Sequence, residues 1–217
     1  MAEHKWFGLD ELDRLICEHI DTAPGVFFEA GANDGTSYSN TLALEQFYGW
    51  TGILVEPVPD LFIKCKMNRP KARSEWGALV SAEDPRKSVR LNFCNLMTVA
   101  QSADGLSEEQ KRHIEAGKRF LKPDEETYEF DAPALTISHV LGRSGDPEVD
   151  LMVLDLEGNE VQALNGIDFA RHRPKHIVLE CRPPDAKGML AALEAHYQPP
   201  IELVRMPHRW DWLFTRK

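Results

Sequence analysis

Acidic residues end two strongly apolar segments of this 217-residue chain, and they are its first candidates for chemistry. Asp155 and Glu157 follow the segment at residues 149–154, and Glu180 follows the segment at residues 176–179. Ligands of open α/β sheets bind outside the carboxyl ends of the strands, where such acids would lie. Asp155 and Glu157 are two residues apart, so both point to the same side for as long as the strand persists. We therefore predict that all three acids are catalytic.

The residue types leave alternative roles open for these acids. Asp155 is the first candidate for a group beside the reacting atoms, either as a proton acceptor or as a substrate anchor. Glu157 would equally stabilise the N-terminus of the following helix, and for Glu160 this structural role is favoured. Asp155 with Glu180 is the pair that would bind Mg²⁺ through carboxylate oxygens. The sequence contains no dedicated cluster of ligands, so no residue is predicted to bind a metal.

A second pair of acids surrounds a turn rich in glycine. An apolar segment ends at Glu29, and the turn that follows contains Gly31, Asn33 and Gly35. Glycine lets the backbone turn sharply and approach a ligand without an intervening Cβ, and asparagine tolerates turn conformations. Glu56 ends the next apolar segment about 20 residues beyond the turn, a spacing at which an acid accepts hydrogen bonds from both ribose hydroxyls. The pattern predicts an adenosine-binding site.

The missing parts of this pattern indicate which adenosine ligand fits. A dinucleotide site has a third glycine that lets the helix pack closely, and Thr36 stands at this position. The chain also lacks the G-x-x-x-x-G-K-[ST] loop that binds nucleotide phosphates. A ligand with a ribose but no phosphate fits better, and S-adenosylmethionine is such a ligand. Glu29 would attract its ammonium group.

Strands and helices alternate along the chain, which favours a mostly parallel sheet wrapped by helices. Apolar segments predict strands at residues 26–29, 52–56, 72–81, 88–96 (added at an edge), 149–156 and 176–180. Helical spacing or composition predicts helices at residues 8–20, 36–48, 60–68, 136–141, 160–164 and 186–197. The last two strands, at residues 201–206 and 210–215, are too close for a parallel crossover and should form an antiparallel hairpin.

The predicted domain organisation is an N-terminal helical segment at residues 1–24 and a single domain at residues 25–217. Residues 101–129 interrupt the alternation with a polar run rich in charged side chains. A solvated surface helix and loop would explain this composition. An insertion that shapes or covers a substrate pocket would explain it as well, and both interpretations stay open.

Composition and charge exclude several classes of protein. The net charge of −10 argues against a nucleic-acid partner, which would require clustered lysine and arginine. No apolar run reaches the roughly 20 residues that cross a bilayer, and residues 1–5 lack the layout of a signal peptide. The four cysteines are scattered without a C-x-x-C pair, so we expect reduced thiols and no zinc site. These features predict a cytoplasmic protein.

Three motifs carry a resemblance to a known family. They are FEAGANDG at residues 28–35, VEP at residues 55–57 and LDLEGNE at residues 154–160, with Leu164 and Gly166 behind the last. In these motifs the chain resembles the FkbM-type S-adenosylmethionine-dependent methyltransferases. The resemblance spans residues 25–216, and the polar run at residues 101–129 matches least.

The resemblance implies a Rossmann-like class I methyltransferase fold, with a mostly parallel seven-stranded sheet, an antiparallel last strand and helices on both faces. It implies O-methylation of a hydroxyl on a sugar or other small metabolite, with S-adenosyl-L-methionine as the cofactor. Glu56 would hold the ribose, and the segment around Ala78 would border the adenine. The methionine end would be lined by Glu29, Gly31, Asn33 and Gly35, with Ala32 and Pro57 completing the cofactor-binding set.

Two alternatives belong to other classes of function. An NAD(P)-dependent oxidoreductase would share the nucleotide-binding fold, but Thr36 and the absence of a Tyr-x-x-x-Lys pair disfavour it. A non-catalytic adenosyl-cofactor-binding protein would bind the same ligand without turnover. The sequence does not determine the acceptor, the methylated atom, the metal requirement or the oligomeric state.

Overall fold

The structure, a computed structural model, describes residues 5–102 and 104–217. The start of the predicted 1–24 segment, which we used in arguing against a signal peptide, therefore lies outside the described residues. Residue 103 of the polar run does so too. Among the described residues, no helix combines the length and the hydrophobicity that crossing a membrane requires.

The described residues form two β-sheets. In chain order the strands are β1 (Val26–Ala30), β2 (Thr51–Glu56), β3 (Arg73–Trp76), β4 (Ala78–Leu79), β5 (Ser88–Phe93), β6 (Val99–Ala100), β7 (Tyr128–Leu135), β8 (Leu151–Leu154), β9 (His176–Cys181), β10 (Ile201–Arg205) and β11 (Trp210–Thr215). The large sheet has the strand order β10-β11-β9-β8-β1-β2-β3, and the small sheet has the order β4-β7-β5-β6.

The large sheet confirms the predicted fold class. Its strands β3, β2, β1, β8 and β9 pair in parallel. The last strand, β11, is antiparallel to both of its neighbours, β9 and β10. The predicted hairpin between the last two strands is therefore present, and the sheet is mostly parallel with an antiparallel last strand.

Helices cover both faces of this sheet. They are α1 (Leu12–Cys17), α2 (Leu42–Tyr48), α3 (Pro59–Asn68), α4 (Glu108–Gly117), α5 (Ile137–Arg143), α6 (Glu160–Leu164) and α7 (Ala186–Leu193), with 3-10 turns at Leu9–Glu11 and Lys118–Phe120. Successive residues of a strand point to opposite faces. Phe27 accordingly packs in the core that contains residues of α1, α2 and α3, while Phe28 packs with α5, α6 and α7.

The helix after the glycine turn starts later than its sequence suggests. It was predicted from residue 36, whereas α2 begins at Leu42. The Asp34 carboxylate accepts hydrogen bonds from the backbone N–H groups of Thr36 and Ser37, at 2.8 and 2.7 Å. Such side-chain bonds offer the backbone an alternative to the helix, so the chain continues as a loop.

The predicted strand at residues 72–81 is two strands that belong to different sheets. β3 ends at Trp76, and β4 begins at Ala78, which pairs with Ala134 of β7. A Cβ at Gly77 would lie 2.5 Å from Leu135 Cδ1, so the crossing between the sheets requires a residue without a side chain.

The edge position predicted for residues 88–96 was wrong. This segment contains β5, which pairs antiparallel with β7 in the small sheet rather than with the large one. β7 itself was missed, because residues 134–136, which include its last two residues, were interpreted as the approach to a helix. The small sheet has its own buried core, formed by Ala78, Val80, Val89, Leu91 and Ala132.

The polar run folds against this small sheet. Its helix α4 begins with a capping box, in which Ser107 and Gln110 exchange side-chain and backbone hydrogen bonds. The end of α4 lies tightly on the loop after β5, since a Cβ at Gly117 would be 2.8 Å from Cys94 Sγ. The capping box and this contact fix the helix at the edge of the cavity described below.

Candidate active site

A cavity of 1070 Å³ opens at the carboxyl ends of the central strands. The ends of β1 and β2 form one part, which we name the β1–β2 end, and the ends of β8 and β9 form the β8–β9 end. The small sheet and α4 contribute further walls. The predicted site residues that line the cavity are Glu29, Gly31, Ala32, Asn33, Glu56, Pro57, Ala78, Asp155, Glu157 and Glu180.

Gly35 is the predicted site residue that does not line the cavity. A Cβ at this position would lie 3.0 Å from Arg69 Cγ and 3.2 Å from the Cα of Cys65. Its φ of +80° belongs to the region that favours glycine. Gly35 therefore shapes the turn by letting α3 pack closely beneath it.

Gly31 brings the ends of β1, β2 and β8 together. Its backbone N–H donates to the carbonyl of Val55 at 3.1 Å, and its φ is +81°. A Cβ here would lie only 1.9 Å from the carbonyl oxygen of Asp155. No side chain fits between these strands, so the close approach of β1 and β8 depends on this glycine.

Glu56 is held at the β1–β2 end by the turn itself. Its two carboxylate oxygens accept hydrogen bonds from the backbone N–H groups of Asn33 and Val58, each at 2.9 Å. Burial raises the pKa of Glu56 to about 8, although these two hydrogen bonds favour the charged form. Each oxygen keeps a lone pair, so the carboxylate can accept further hydrogen bonds from a ligand.

Glu29 binds the loop that precedes α2. Its carboxylate accepts hydrogen bonds from Ser39 Oγ, the Asn40 backbone N–H and Thr41 Oγ1, at 2.9, 2.7 and 2.6 Å. Asn40 lines the cavity, and within the described residues its Oδ1, which is buried beside Gly8, has no hydrogen-bond partner. Asn40 was missed by the sequence analysis, which placed it inside a helix.

A buried arginine supports this end of the cavity from below. Arg69, at the end of α3, is fully buried, and its Nε donates to Glu45 Oε2 at 2.8 Å. Its other nitrogens donate to the Gly35 carbonyl and to the hydroxyls of Ser39 and Thr41. Nothing in the local sequence marks Arg69, because its partners lie 24 or more residues away.

The β8–β9 end contains the three acids that were predicted from their positions at the ends of strands. One carboxylate oxygen each from Asp155, Glu157 and Glu180 lies within 4.8 Å of the other two. Burial, followed by repulsion from Glu157 and other acids, raises the pKa of Asp155 well above its ordinary value. Burial and repulsion from Asp155 raise the pKa of Glu180 to about 10. The structure therefore brings the predicted acids together, and they disfavour one another's charge.

Two arginines lie against these acids. Arg182 Nη2 is 2.6 Å from Glu157 Oε2, and Arg209 Nε is 3.8 Å from Glu180 Oε2. Arg209 Nε also lies 3.3 Å from Asp211, a buried residue of β11 that lines the cavity. Burial raises the pKa of Asp211 to about 6, and Arg209 opposes this effect. The sequence analysis missed Arg209, which lies just before β11, and Asp211, which lies within it.

The polar run also reaches this end. His113 of α4 lines the cavity, and its Nε2 is 2.8 Å from Glu157 Oε2. On the same helix, Glu109, Arg112 and Ala116 line the cavity with helical spacing. Of the two interpretations that the sequence left open, the structure supports the one in which the run shapes a pocket.

Comparisons with known proteins agree with this architecture. The sequence model of the methyltransferase FkbM domain matches residues 29–199. Among solved structures, a precorrin-6y C5,15-methyltransferase from Geobacter metallireducens GS-15 has a TM-score of 0.50 at 9% identity, covering 95% of this chain and 88% of that chain. At this identity the likeness shows the fold alone.

A second solved structure is similar over the whole chain. This TehB-like SAM-dependent methyltransferase from Corynebacterium glutamicum ATCC 13032 Kitasato has a TM-score of 0.49 at 14% identity, covering 100% of this chain and 91% of that chain. The search of curated protein sequences finds no match.

Proposed function

The chain belongs to the family of FkbM-domain methyltransferases, and we propose that it transfers the methyl group of S-adenosylmethionine to a hydroxyl of a small molecule such as a sugar. The observation that carries this proposal is the division of one cavity into two ends. The β1–β2 end has the residues of an adenosine site, and the β8–β9 end has groups that bind a polar acceptor.

The residues at the β1–β2 end fit the cofactor. Glu56 has free lone pairs for the ribose hydroxyls, and the unpartnered Oδ1 of Asn40 accepts a hydrogen bond from a donor such as an ammonium group. Gly31, Ala32, Asn33 and Pro57 would form the wall around the methionine and ribose, and Ala78 would border the adenine. When bound, S-adenosylmethionine supplies a methyl group activated by a sulfonium.

The acids at the β8–β9 end would anchor the acceptor. Burial and mutual repulsion raise the pKa of Asp155 well above its ordinary value and that of Glu180 to about 10, which favours the protonated carboxyl over the charged one. A protonated carboxyl donates a hydrogen bond, so it can hold the oxygen of a hydroxyl group. Of the two roles that the sequence left open for Asp155, the raised pKa favours the substrate anchor. We assign Glu157 a role beside them, through its contacts with Arg182 and His113.

The remaining expectations from the sequence stay predictions. Asp155, Glu157 and Glu180 offer oxygens at a spacing that suits a divalent cation, but Arg182 and Arg209 already face these acids. A requirement for Mg²⁺ is therefore not part of the proposal. Cytoplasmic location, the absence of a nucleic-acid partner and the identity of the acceptor also stay predictions. The family assignment argues against the NAD(P)-dependent oxidoreductase.

Calorimetric titration tests the cofactor site. We expect S-adenosylmethionine and S-adenosylhomocysteine to bind with dissociation constants of about micromolar, and NAD not to bind. Glu56→Gln should weaken both adenosyl ligands by roughly tenfold or more, because it replaces one of the two oxygens that accept hydrogen bonds at this site with an amide donor. Glu148→Gln, which changes an exposed acid, is the matched control. Binding of NAD alone would contradict the methyltransferase proposal.

A methyl-transfer assay separates an enzyme from a non-catalytic binding protein. Labelled S-adenosylmethionine would be incubated with a panel of methyl glycosides, polyols and phenols, and the labelled product would be isolated. The proposal expects transfer to at least one hydroxyl, with Asp155→Asn lowering turnover while affinity for S-adenosylhomocysteine is retained. A wild-type protein that binds the cofactor and methylates none of these compounds would contradict O-methylation.

A further inference from the structure

His113 is the imidazole that the polar run places in the cavity. It lies on α4, in the segment that resembles the family least. Its side chain is 15% exposed. The helix is attached near both ends, by Gln110 Nε2, which donates to the Ala100 carbonyl of β6 at 2.8 Å, and by the packing of Gly117 against Cys94. The imidazole is therefore held at the cavity wall by ordered structure.

The contacts of its ring indicate which nitrogen carries the proton. Nε2 lies 2.8 Å from Glu157 Oε2, and Arg182 Nη2 lies 2.6 Å from the same oxygen and 3.3 Å from Nε2. The carboxylate is the closer neighbour of Nε2, and a lone pair on Nε2 would repel it at this distance, so we place the proton between these two atoms. Among the described residues, no group hydrogen-bonds Nδ1. In the neutral ring, Nδ1 therefore carries a free lone pair.

We propose that His113 is the catalytic group that removes the hydroxyl proton of the acceptor, and that Glu157 positions its ring. This inference rests on the proposed function, and it adds a residue outside the three predicted acids. The arrangement is a general base with an orienting carboxylate, because Glu157 fixes the tautomer and stabilises the imidazolium that forms.

The step balances as a methyl transfer. The acceptor O–H bond breaks, its proton goes to Nδ1 of His113, and the electron pair stays on oxygen. The oxygen forms a bond to the methyl carbon as the bond from that carbon to the sulfonium sulfur breaks, and this electron pair goes to sulfur. The products are a methyl ether, the neutral thioether S-adenosylhomocysteine and an imidazolium. The imidazolium then returns its proton to water.

The neighbouring groups explain why none of the predicted acids removes the hydroxyl proton. Burial and repulsion raise the pKa of Asp155 and of Glu180, which favours their protonated forms, and a protonated carboxyl cannot accept another proton. Arg182 has no acceptor atom. The charged groups around the ring are Glu157 and Arg182 in contact, Asp155 and Glu180 behind Glu157, and Glu109 and Arg112 on α4.

The first test needs no acceptor. Nitrogen-labelled protein saturated with S-adenosylhomocysteine would be studied by NMR, with His113→Gln to assign the signals. In the neutral ring we expect the proton on Nε2, where the Glu157 carboxylate accepts it. Glu157→Gln should lower the fraction of rings with the proton on Nε2, because a neutral amide oxygen is a weaker acceptor than a carboxylate. A proton on Nδ1 in the wild type, or a tautomer that is unchanged in Glu157→Gln, would overturn the inference.

The second test measures turnover on any acceptor that the wild type methylates. His113→Gln should lower kcat by about 10²–10⁴-fold and remove the acidic limb of the pH–rate profile. KM and the affinity for S-adenosylhomocysteine should stay within about threefold. If His113 only fastens α4, the variant would instead raise KM and keep kcat, which overturns the proposal. Glu115→Gln, on an exposed face of the same helix, is the matched control.

The two tests keep this inference separate from the proposed function. A wild-type protein that methylates no hydroxyl contradicts O-methylation whatever the state of His113. In that case the NMR measurement still decides whether Glu157 holds the ring with Nδ1 free. A protein that methylates hydroxyls with an unchanged kcat in His113→Gln contradicts the inference and leaves the proposed function standing.

Discussion

The acids at the two ends of the cavity have different kinds of hydrogen-bond partner. At the β1–β2 end, both oxygens of Glu56 accept hydrogen bonds from backbone N–H groups of the turn and of the segment after β2. At the β8–β9 end, Asp155, Glu157 and Glu180 face one another, and their partners are side chains from α4, β11 and the segment after β9.

Glu56 is therefore held by the backbone, whereas the acids of the β8–β9 end are held by side chains from separate elements. Backbone donors are fixed in place by the strands and the turn, so the β1–β2 end depends on glycine geometry and on the buried support of Arg69. The β8–β9 end depends on charges that balance one another, so its properties change with pH. Three predictions test this contrast, and we order them from the largest expected effect.

Gly31→Ala should have the largest effect. The new Cβ would lie 1.9 Å from the Asp155 carbonyl oxygen, so β1 and β8 would have to separate. We expect a loss of about 4–5 kcal/mol in the free energy of unfolding, measured with urea. Gly145→Ala is the control, because its φ of +84° is similar but nothing lies within 4 Å of the added atom. It should cost about 1–2 kcal/mol. Equal losses in the free energy of unfolding would show that backbone strain, and not the contact with Asp155, explains the effect.

Arg69→Met should be nearly as costly. It leaves Glu45 and Glu29 buried without the cation that faces them, and breaking a buried pair in this way costs about 3–5 kcal/mol. Arg182→Met, at the β8–β9 end, should cost roughly 1 kcal/mol, since Arg182 and Glu157 both reach solvent. Urea unfolding measures both variants. A larger loss for Arg182→Met would reverse the contrast between the two ends.

Glu180→Gln should have the smallest effect, and one that depends on pH. The pKa of Glu180 is raised from 4.5 to about 10, so this group is protonated in the folded protein where it is ionised in the unfolded chain. The stability of the wild type therefore falls as pH rises above 4.5. Glu180→Gln removes this loss, so the variant should be more stable than the wild type at about pH 8, by roughly 1–3 kcal/mol, and equal to it near pH 4.

The control for this prediction is an acid whose pKa is lowered rather than raised. Glu202 lies on the surface beside Arg205, which lowers its pKa. Glu202→Gln should change the melting temperature little, and any change above its pKa should be a loss. If Glu180→Gln also lowers the melting temperature at about pH 8, the acids of the β8–β9 end are not in mutual repulsion.

The sequence by itself determined the features that depend on neighbouring residues. Alternating apolar segments predicted the parallel strands, and the short connection between β10 and β11 required a hairpin. The glycine turn and the spacing to Glu56 predicted the β1–β2 end, because β1 and β2 are adjacent parallel strands, and this pairing brings Asn33 beside an acid 23 residues along the chain. The acids at the ends of β8 and β9 were predicted from the rule that parallel strands end at one edge of the sheet.

Only the tertiary structure decided which distant groups complete the site. Gly77 redirects the chain from β3 to the small sheet, and no local signal distinguishes this from one continuous strand. Arg182 and His113 meet at Glu157 although they are 69 residues apart, and Arg209 and Asp211 arrive through the last strand. Hydrogen bonds within a turn follow from local spacing, whereas the balance of charge in a cavity depends on how separate elements pack. The composition of the polar run left open whether it is a solvated surface segment or part of a pocket wall, and its packing against the small sheet is what brings His113 to the acids.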